Sequence, residues 1–173
     1  MVDFNLSSFK STYREYARAY TFYANILNTP YFVENNRYLV YATTLPAAVN
    51  DETEVNWQGH RYKIATTQTY DDFTISFNVD TDSAIRTQFL TWANFLNNPV
   101  DNMHGDPAGG NPQYFGQIHL THLNPRGEEI QKFILDDAWP KNVGEITLDY
   151  TTKEVAKFDV VFAYQFHTIE GIN

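Results

Sequence analysis

The feature that most constrains the fold of this chain is a regular alternation of apolar and polar side chains over residues 72–79. The apolar positions are Phe73, Ile75, Phe77 and Val79, and the polar positions between them are Asp72, Thr74, Ser76 and Asn78. Successive side chains of a β-strand point to opposite faces of the sheet. The pattern therefore predicts a strand with one buried and one solvated face, which is typical of an antiparallel sheet.

A helix is predicted over residues 82–97, soon after this strand. Large apolar residues recur there at spacings of four, three and four, namely Ile85, Phe89, Trp92 and Leu96. This spacing places them on one helix face. Thr81 or Asp82 could cap the helix, and Pro99 lies just beyond its end. Residues 98–113 contain three prolines and three glycines and are predicted to form a loop.

The remaining patterns favour a mainly β fold. Extended segments are predicted at 20–26, 37–43, 114–123, 129–135, 143–150 and 155–166, and the second of these could return beside the first as a hairpin. The expected architecture is a small antiparallel β-barrel or sandwich with one flanking α-helix. We expect one domain over 1–173, with an N-terminal arm (1–19) and a C-terminal extension (167–173), because no repeat or linker marks a second domain.

Residues 45–65 predict a hairpin that projects from the body. Gln58-Gly59 supplies a turn between two extended runs, and Val55 and Trp57 are exposed if the hairpin stands away from the sheet. The alternative is a hairpin folded back on the body.

Composition excludes several classes of function. The chain has 13 Phe, 12 Tyr and 3 Trp but no Cys, so disulfides, Cys-ligated zinc and cysteine nucleophiles are excluded. Its formal charge is -9, which disfavours tight binding of nucleic acid, because phosphate groups are also negatively charged. Residues 1–63 balance six acidic against six basic side chains, so the whole excess lies in residues 64–173. No segment approaches the roughly 20 apolar residues of a membrane span.

No group of residues indicates an enzyme, a cofactor or a metal site. His119 and His122 are three residues apart in one predicted strand, so their side chains should lie on opposite faces. Asp71-Asp72 and Asp136-Asp137 are adjacent carboxylates, which point apart on an extended chain. The aromatic β domain with its projecting hairpin instead favours a self-assembling building block over a binding module or an enzyme.

Three motifs in order resemble the tail tube proteins of contractile-tailed, T4-like bacteriophages. They are Ala42-Thr43-Thr44-Leu45-Pro46, Thr69-Tyr70-Asp71-Asp72-Phe73-Thr74, and Ala138-Trp139-Pro140-Lys141-Asn142-Val143-Gly144-Glu145 with the later Leu148-Asp149-Tyr150. Together these motifs cover about residues 20–164. The longer N-terminal arm, the tail beyond Tyr164 and the loop 98–113 depart from the family pattern.

The resemblance implies a tail-tube or secretion-tube fold. Copies of such a protein would form hexameric rings that stack into the inner tube of a contractile tail. Its partners would be itself, the tail sheath, the baseplate and tube-end proteins, with genomic DNA passing through unbound. It would be assembled in the host bacterial cytoplasm and reside in the virion. The alternatives are the tube of a contractile secretion system and, from a different class, a monomeric ligand-binding β-sandwich.

This reading nominates two sets of site residues. The candidates for contacts between subunits or rings are Leu45, Pro46, Val55, Trp57, Trp139, Pro140 and Asn142. Among these, Trp139 and Pro140 are expected to form a corner of the chain. This corner could pack on its own subunit or on a neighbouring one, and packing on its own subunit is preferred. The candidates for lining the lumen are Glu145, Thr147 and Asp149, on the outward face of the strand predicted at 143–150.

Overall fold

A computed structural model describes residues 6–7, 10, 16–29, 39–99, 114–151 and 153–170. The predicted loop 98–113 lies outside these ranges except for Asn98 and Pro99, and so does most of the predicted arm, of which Leu6, Ser7 and Lys10 are helical. The elements in chain order are β1 (Phe22–Leu27), β2 (Val40–Thr43), β3 (Val49–Trp57), β4 (His60–Thr69), β5 (Phe73–Asn78), α1 (Ala84–Leu96), β6 (Gly116–Leu123), β7 (Glu129–Val143), β8 (Lys157–Ala163) and β9 (Phe166–Glu170).

The body is a bent antiparallel sheet of seven strands. Its order is β1-β6-β7-β8-β5-β2, with β9 also paired to β7, while β3 and β4 form a separate two-stranded sheet. The long strand β7 belongs to both halves: residues 129–138 pair with β6, with β9 or with both, and residues 139–143 pair with β8. Near the junction of the two parts, Asp137 has a φ of 54° and the ladder to β6 changes register. This irregularity bends β7, so the sheet folds over its own core.

The β prediction is confirmed, but the described sheet is open rather than closed into a barrel. It ends at β1 and β2, which are not paired with each other. The predicted hairpin between these two strands is therefore wrong. β1 pairs with β6, opposing Ile26 to Ile118, whereas β2 pairs with β5, opposing Val40 to Phe77. Each strand pairs where its apolar side chains can be buried, and not with the strand that is nearest in sequence.

The core is rich in aromatic side chains, and α1 packs its apolar face into it. All four predicted helix positions are buried, and Phe89 packs on Phe77 and Phe162 with ring centroids 5.1 and 5.9 Å apart. Trp92 is fully buried, and its indole N–H donates a 2.8 Å hydrogen bond to the Tyr114 carbonyl oxygen. Burying a polar N–H without a partner costs free energy, so this bond makes a central Trp tolerable.

The start of α1 differs from the predicted cap. Neither Thr81 nor Asp82 is the cap residue; Ser83 is, with a φ of 50° and no capping bond from its own side chain. The carboxylate of Asp80 instead accepts a 3.2 Å hydrogen bond from the Ala84 backbone N–H. The left-handed backbone at Ser83 brings the Asp80 side chain to the start of the helix. The residues directly before the helix do not predict this arrangement.

The C-terminal residues also differ from expectation. Residues 167–170, predicted as part of an extension, belong to β9, which opposes Ile169 to Phe133 and His167 to Leu135 of β7. Among the residues described, no helix is long and apolar enough to cross a membrane.

Candidate functional site

The hairpin of β3 and β4 is the most exposed element of the described structure. All its strand residues are exposed, and its two strands pair from Val49 opposite Thr69 to Trp57 opposite His60. The turn residues Gln58 and Gly59 have φ values of 48° and 82°. Positive φ at both positions is the signature of the type I′ turn, whose twist matches that of a two-stranded ladder. The paired strands span residues 49–69, so the hairpin begins and ends four residues later than the predicted 45–65.

Its two faces have opposite chemistry. Directly opposed residues of an antiparallel pair lie on the same face, so Val55 and Tyr62 share a face with Trp57 and Ile64. These four side chains are between 44% and 65% exposed. We call this the apolar hairpin face. The sequence reading identified Val55 and Trp57 but missed Tyr62 and Ile64, although their spacing of two was the available signal.

The opposite face carries charges. Arg61 pairs with Glu54 at 3.7 Å, and Lys63 pairs with Glu52. Exposed ion pairs of this kind contribute about 0–1 kcal/mol, and an isolated two-stranded hairpin is only marginally stable in water. A hairpin with one charged and one bare apolar face therefore gains most from burying the apolar face against another surface.

The other contact candidates lie in three settings. Leu45 is half exposed beside the hairpin root, and Pro46 is partly buried next to it. Trp139 is partly buried against the core, and Pro140 is buried. Asn142 is exposed near the end of β7.

The prediction of a strand over residues 143–150 is wrong. β7 ends at Val143, and residues 144–149 have no regular secondary structure. The Gly144 N–H still donates to the Asp159 carbonyl oxygen at 2.7 Å, but the ladder to β8 goes no further. Glu145, Thr147 and Asp149 are exposed on this segment, while Ile146 packs against the core. The Asp149 carboxylate accepts 2.8 Å bonds from the backbone N–H and hydroxyl of Thr151, which lower the pKa of Asp149.

The three lumen candidates border a broad cleft of about 930 Å³ between this segment and the outer face of β5 and β8. Ser76 and Asp159 lie in the cleft wall and are joined by a 2.5 Å hydrogen bond from the Ser76 hydroxyl. The cleft is wide and carries the carboxylates of Glu145, Asp149 and Asp159. Its surface is acidic, in keeping with the charge excess of residues 64–173.

The histidines of β6 and β9 have three different surroundings. His122 donates from Nε2 to the Arg18 carbonyl oxygen at 2.9 Å. Burial lowers the pKa of His119, assisted by Lys132. Burial also lowers the pKa of His167, whose ring packs on Tyr70 with a centroid distance of 5.1 Å. Its Nδ1 atom is buried and has no hydrogen-bond partner among the described residues.

The surroundings of these histidines do not form a metal site. His119 faces Lys132 and Glu170, whereas His122 faces the N-terminal segment, so the two histidines do not converge. No group of three or more His, Asp or Glu side chains within the described ranges could hold a metal ion.

This fold recurs in contractile injection assemblies. A chain of the anti-feeding prophage baseplate matches with a TM-score of 0.69 at 13% identity, over 92% of this chain and 98% of that one. A chain of the sheath–tube complex of an extracellular contractile injection system matches with a TM-score of 0.67 at 13% identity, over 98% and 100%. The architecture described above is therefore one that contractile machines use.

The sequence itself then identifies the family. The phage tail tube protein family matches residues 1–170, and the chain belongs to that family. The tail tube protein gp19 of Enterobacteria phage T4 is 25% identical over 139 residues, covering 79% of this chain and 83% of the relative. Its counterpart in Enterobacteria phage T6 is 24% identical over the same shares. The resemblance read from the three motifs is confirmed: this is a structural tail tube protein of a contractile, phage-like system.

Proposed function

We propose that copies of this chain form hexameric rings that stack into the inner tube of a contractile phage tail. The observation that carries the proposal is the apolar hairpin face, which projects from a body that already has a complete core of its own. An exposed apolar surface of this kind marks an interaction site. In a protein of the tail tube family, the natural partner is another copy.

The further partners follow from the setting of similar chains. Structures with this fold include a chain from a sheath–tube complex and a chain from a baseplate. We infer that this chain contacts a sheath outside the tube and a baseplate and tube-end proteins at its ends. We infer further that it is assembled in the host bacterial cytoplasm and has no catalytic role.

Genomic DNA would pass through the tube without being held. The formal charge of -9 supports this, because a wall of carboxylates repels a duplex that carries one charge per about 1.7 Å of its axis. Glu145, Thr147 and Asp149 remain our candidates for the lumen. The broad acidic cleft beside them supports a solvated role, although a loop rather than a strand would present them.

Electron microscopy and light scattering of the purified protein test the proposal. We expect rings of six subunits, and tubes at high protein concentration. A protein that stays monomeric over a wide concentration range would contradict the proposal and favour a ligand-binding β-sandwich. Isolation of the chain in DNA-filled tailed particles would separate a phage tube from that of a secretion system.

A further inference from the structure

The two ends of the β3–β4 hairpin are attached to the body in different ways. Every side chain from residue 47 to residue 69 is exposed, so no side chain of this stretch is buried against the body. Before the hairpin, the last side chain that is not exposed is Pro46. After it, Tyr70 is partly buried and directly follows the last residue of β4. Tyr70 is therefore the side chain nearest to the hairpin that can fix its direction.

Tyr70 packs on two rings of the body. Its ring centroid lies 5.1 Å from that of His167 in β9 and 5.8 Å from that of Tyr164, which precedes β9. The rings of Tyr164 and His167 also contact each other at 6.2 Å, and His167 packs on Phe133 of β7 at 5.9 Å. Rings at such separations attract one another beyond the area that they bury. We call Tyr70, Tyr164 and His167 the root cluster.

His167 is the member of the root cluster whose charge changes between neutral and mildly acidic pH. Its Nδ1 atom is buried and has no hydrogen-bond partner within the described part of the chain. In the protonated ring both nitrogens are donors, so Nδ1 would carry an N–H group that needs an acceptor. A buried donor without an acceptor costs free energy. Protonation therefore favours a ring that has turned out of the root cluster into water.

The surroundings of His167 do not compensate for a positive charge. The titratable groups that adjoin the root cluster are its two tyrosines and three carboxylates, namely Tyr70, Tyr164, Asp71, Asp136 and Glu170. Asp71 acts on Tyr164, whose pKa is raised mainly by burial. Burial is the cause of the lowered pKa of His167, and none of the three carboxylates opposes it. The neutral form of His167 is therefore the one that fits the root cluster.

We propose that the root cluster is a pH-sensitive joint between the hairpin and the body. At neutral pH, His167 holds Tyr70 in place and so sets the direction of the hairpin. Protonation of His167 releases Tyr70, and the hairpin then changes its angle to the body, carrying the apolar hairpin face with it. Neither Tyr70 nor His167 belongs to the buried core, so the release does not require the body to unfold. The joint lies within one chain and does not depend on the formation of rings.

Single-molecule energy transfer between two dyes tests the joint in isolated chains. The chain has no Cys of its own, so Asn56→Cys in β3 and Asn94→Cys on α1 supply two exposed labelling sites. We expect a narrow distribution of distances at about pH 8 and one about twice as wide at about pH 5. Equal widths at both pH values would overturn the joint. Far-ultraviolet circular dichroism should be unchanged over this range, and its loss would show general unfolding instead of a local release.

Three variants assign the effect to the root cluster. His167→Phe keeps a ring there but takes up no proton, so its distribution should stay narrow at both pH values. Tyr70→Ala removes the contact itself and should give a wide distribution at both. His60→Gln, at the exposed tip of the hairpin, is the control and should respond to pH like the wild type. A His167→Phe chain that broadens in acid, or a Tyr70→Ala chain that stays narrow, would refute the proposed roles of these residues.

Discussion

The backbone N–H of Gly144 donates a 2.7 Å hydrogen bond to the carbonyl oxygen of Asp159 at the end of β7. A Cβ atom on residue 144 would lie 2.7 Å from that same oxygen. Because the neighbour is backbone, it cannot swing away as a side chain could. Gly144 thus permits the close approach from which the acidic segment leaves the sheet.

Replacing Gly144 by Ala should therefore destabilise the fold. We expect a loss of about 1–3 kcal/mol in the free energy of unfolding, typical of overpacking against a rigid neighbour. Thr147→Ala, on the exposed part of the same segment, should stay within about 0.5 kcal/mol of the wild type. Denaturant unfolding of the isolated protein measures both, and equal stability of the two variants would contradict this role of Gly144.

Polar substitution of the apolar hairpin face should weaken stacking but not folding. Val55→Ser with Trp57→Ser removes exposed apolar surface whose burial contributes about 25 cal/mol per Å². The body core contains neither residue, so unfolding of the body should be unchanged. Tube length in electron micrographs is the measurement. Glu52→Ser with Glu54→Ser, on the charged face, is the control and should leave tube length unaltered; tubes of normal length from the Val55 and Trp57 variant would remove the hairpin assignment.

Reversing the charge of the lumen candidates Glu145 and Asp149 should make the tube wall bind DNA instead of repelling it. In a stacked tube, Glu145→Lys with Asp149→Lys repeats the new charges around every ring, and affinity for phosphates then falls steeply with salt. We expect tubes of normal length whose genome ejection is slow at low ionic strength and partly recovers as salt is raised. Failure of the double variant to assemble would place both residues at a subunit contact instead.

Lowering the pH should weaken the packing of β9 on the sheet, because His167 of β9 is partly buried there. Burial lowers the pKa of this histidine, so the unfolded chain binds its proton more readily than the folded one. Stability from the neutral ring is then present above about pH 6.5 and declines as pH falls below that value. His167→Phe, which keeps a ring beside Tyr70 and Phe133, should reduce the loss of unfolding free energy between pH 8 and pH 5.5. The exposed tip variant His60→Gln should keep the wild-type dependence; an unchanged pH profile in His167→Phe would refute this role.

The helix cap offers a direct comparison between the sequence reading and the structure. Asp80→Ala should cost about 0.5–2 kcal/mol, because its carboxylate bonds the Ala84 N–H. Asp82→Ala, at one of the two positions favoured by sequence, should change stability by less than about 0.5 kcal/mol. Thermal unfolding of the two variants decides between them, and a larger loss from Asp82→Ala would restore the sequence-based cap.

Local patterns were reliable wherever one face of an element is buried in the chain's own core. The alternation of Phe73, Ile75 and Phe77 and the spacing of Phe89 and Trp92 both predicted the buried faces seen in the structure. The physical reason is that burial selects side chains at the period of the backbone, so the period can be read without knowing the partner.

The same logic failed over residues 143–150. Ile146, Leu148 and Tyr150 alternate as a strand would, but Leu148 and Tyr150 are exposed. The segment separates from β8 after Gly144, where a Cβ atom would lie 2.7 Å from the Asp159 carbonyl oxygen. An alternating pattern shows which side chains could share a face, but it does not show whether a neighbouring strand is there to pair with them.

The sequence by itself determined the β class, the helix, the Gln58-Gly59 turn and, through three motifs, the family. Only the tertiary structure decided which strands meet: that β1 joins β6 and not β2, that β7 bends at Asp137 to serve both halves of the sheet, and that β9 completes one edge. Pairing between distant segments depends on how every apolar face can be covered at once. That is a property of the whole chain and of no single segment.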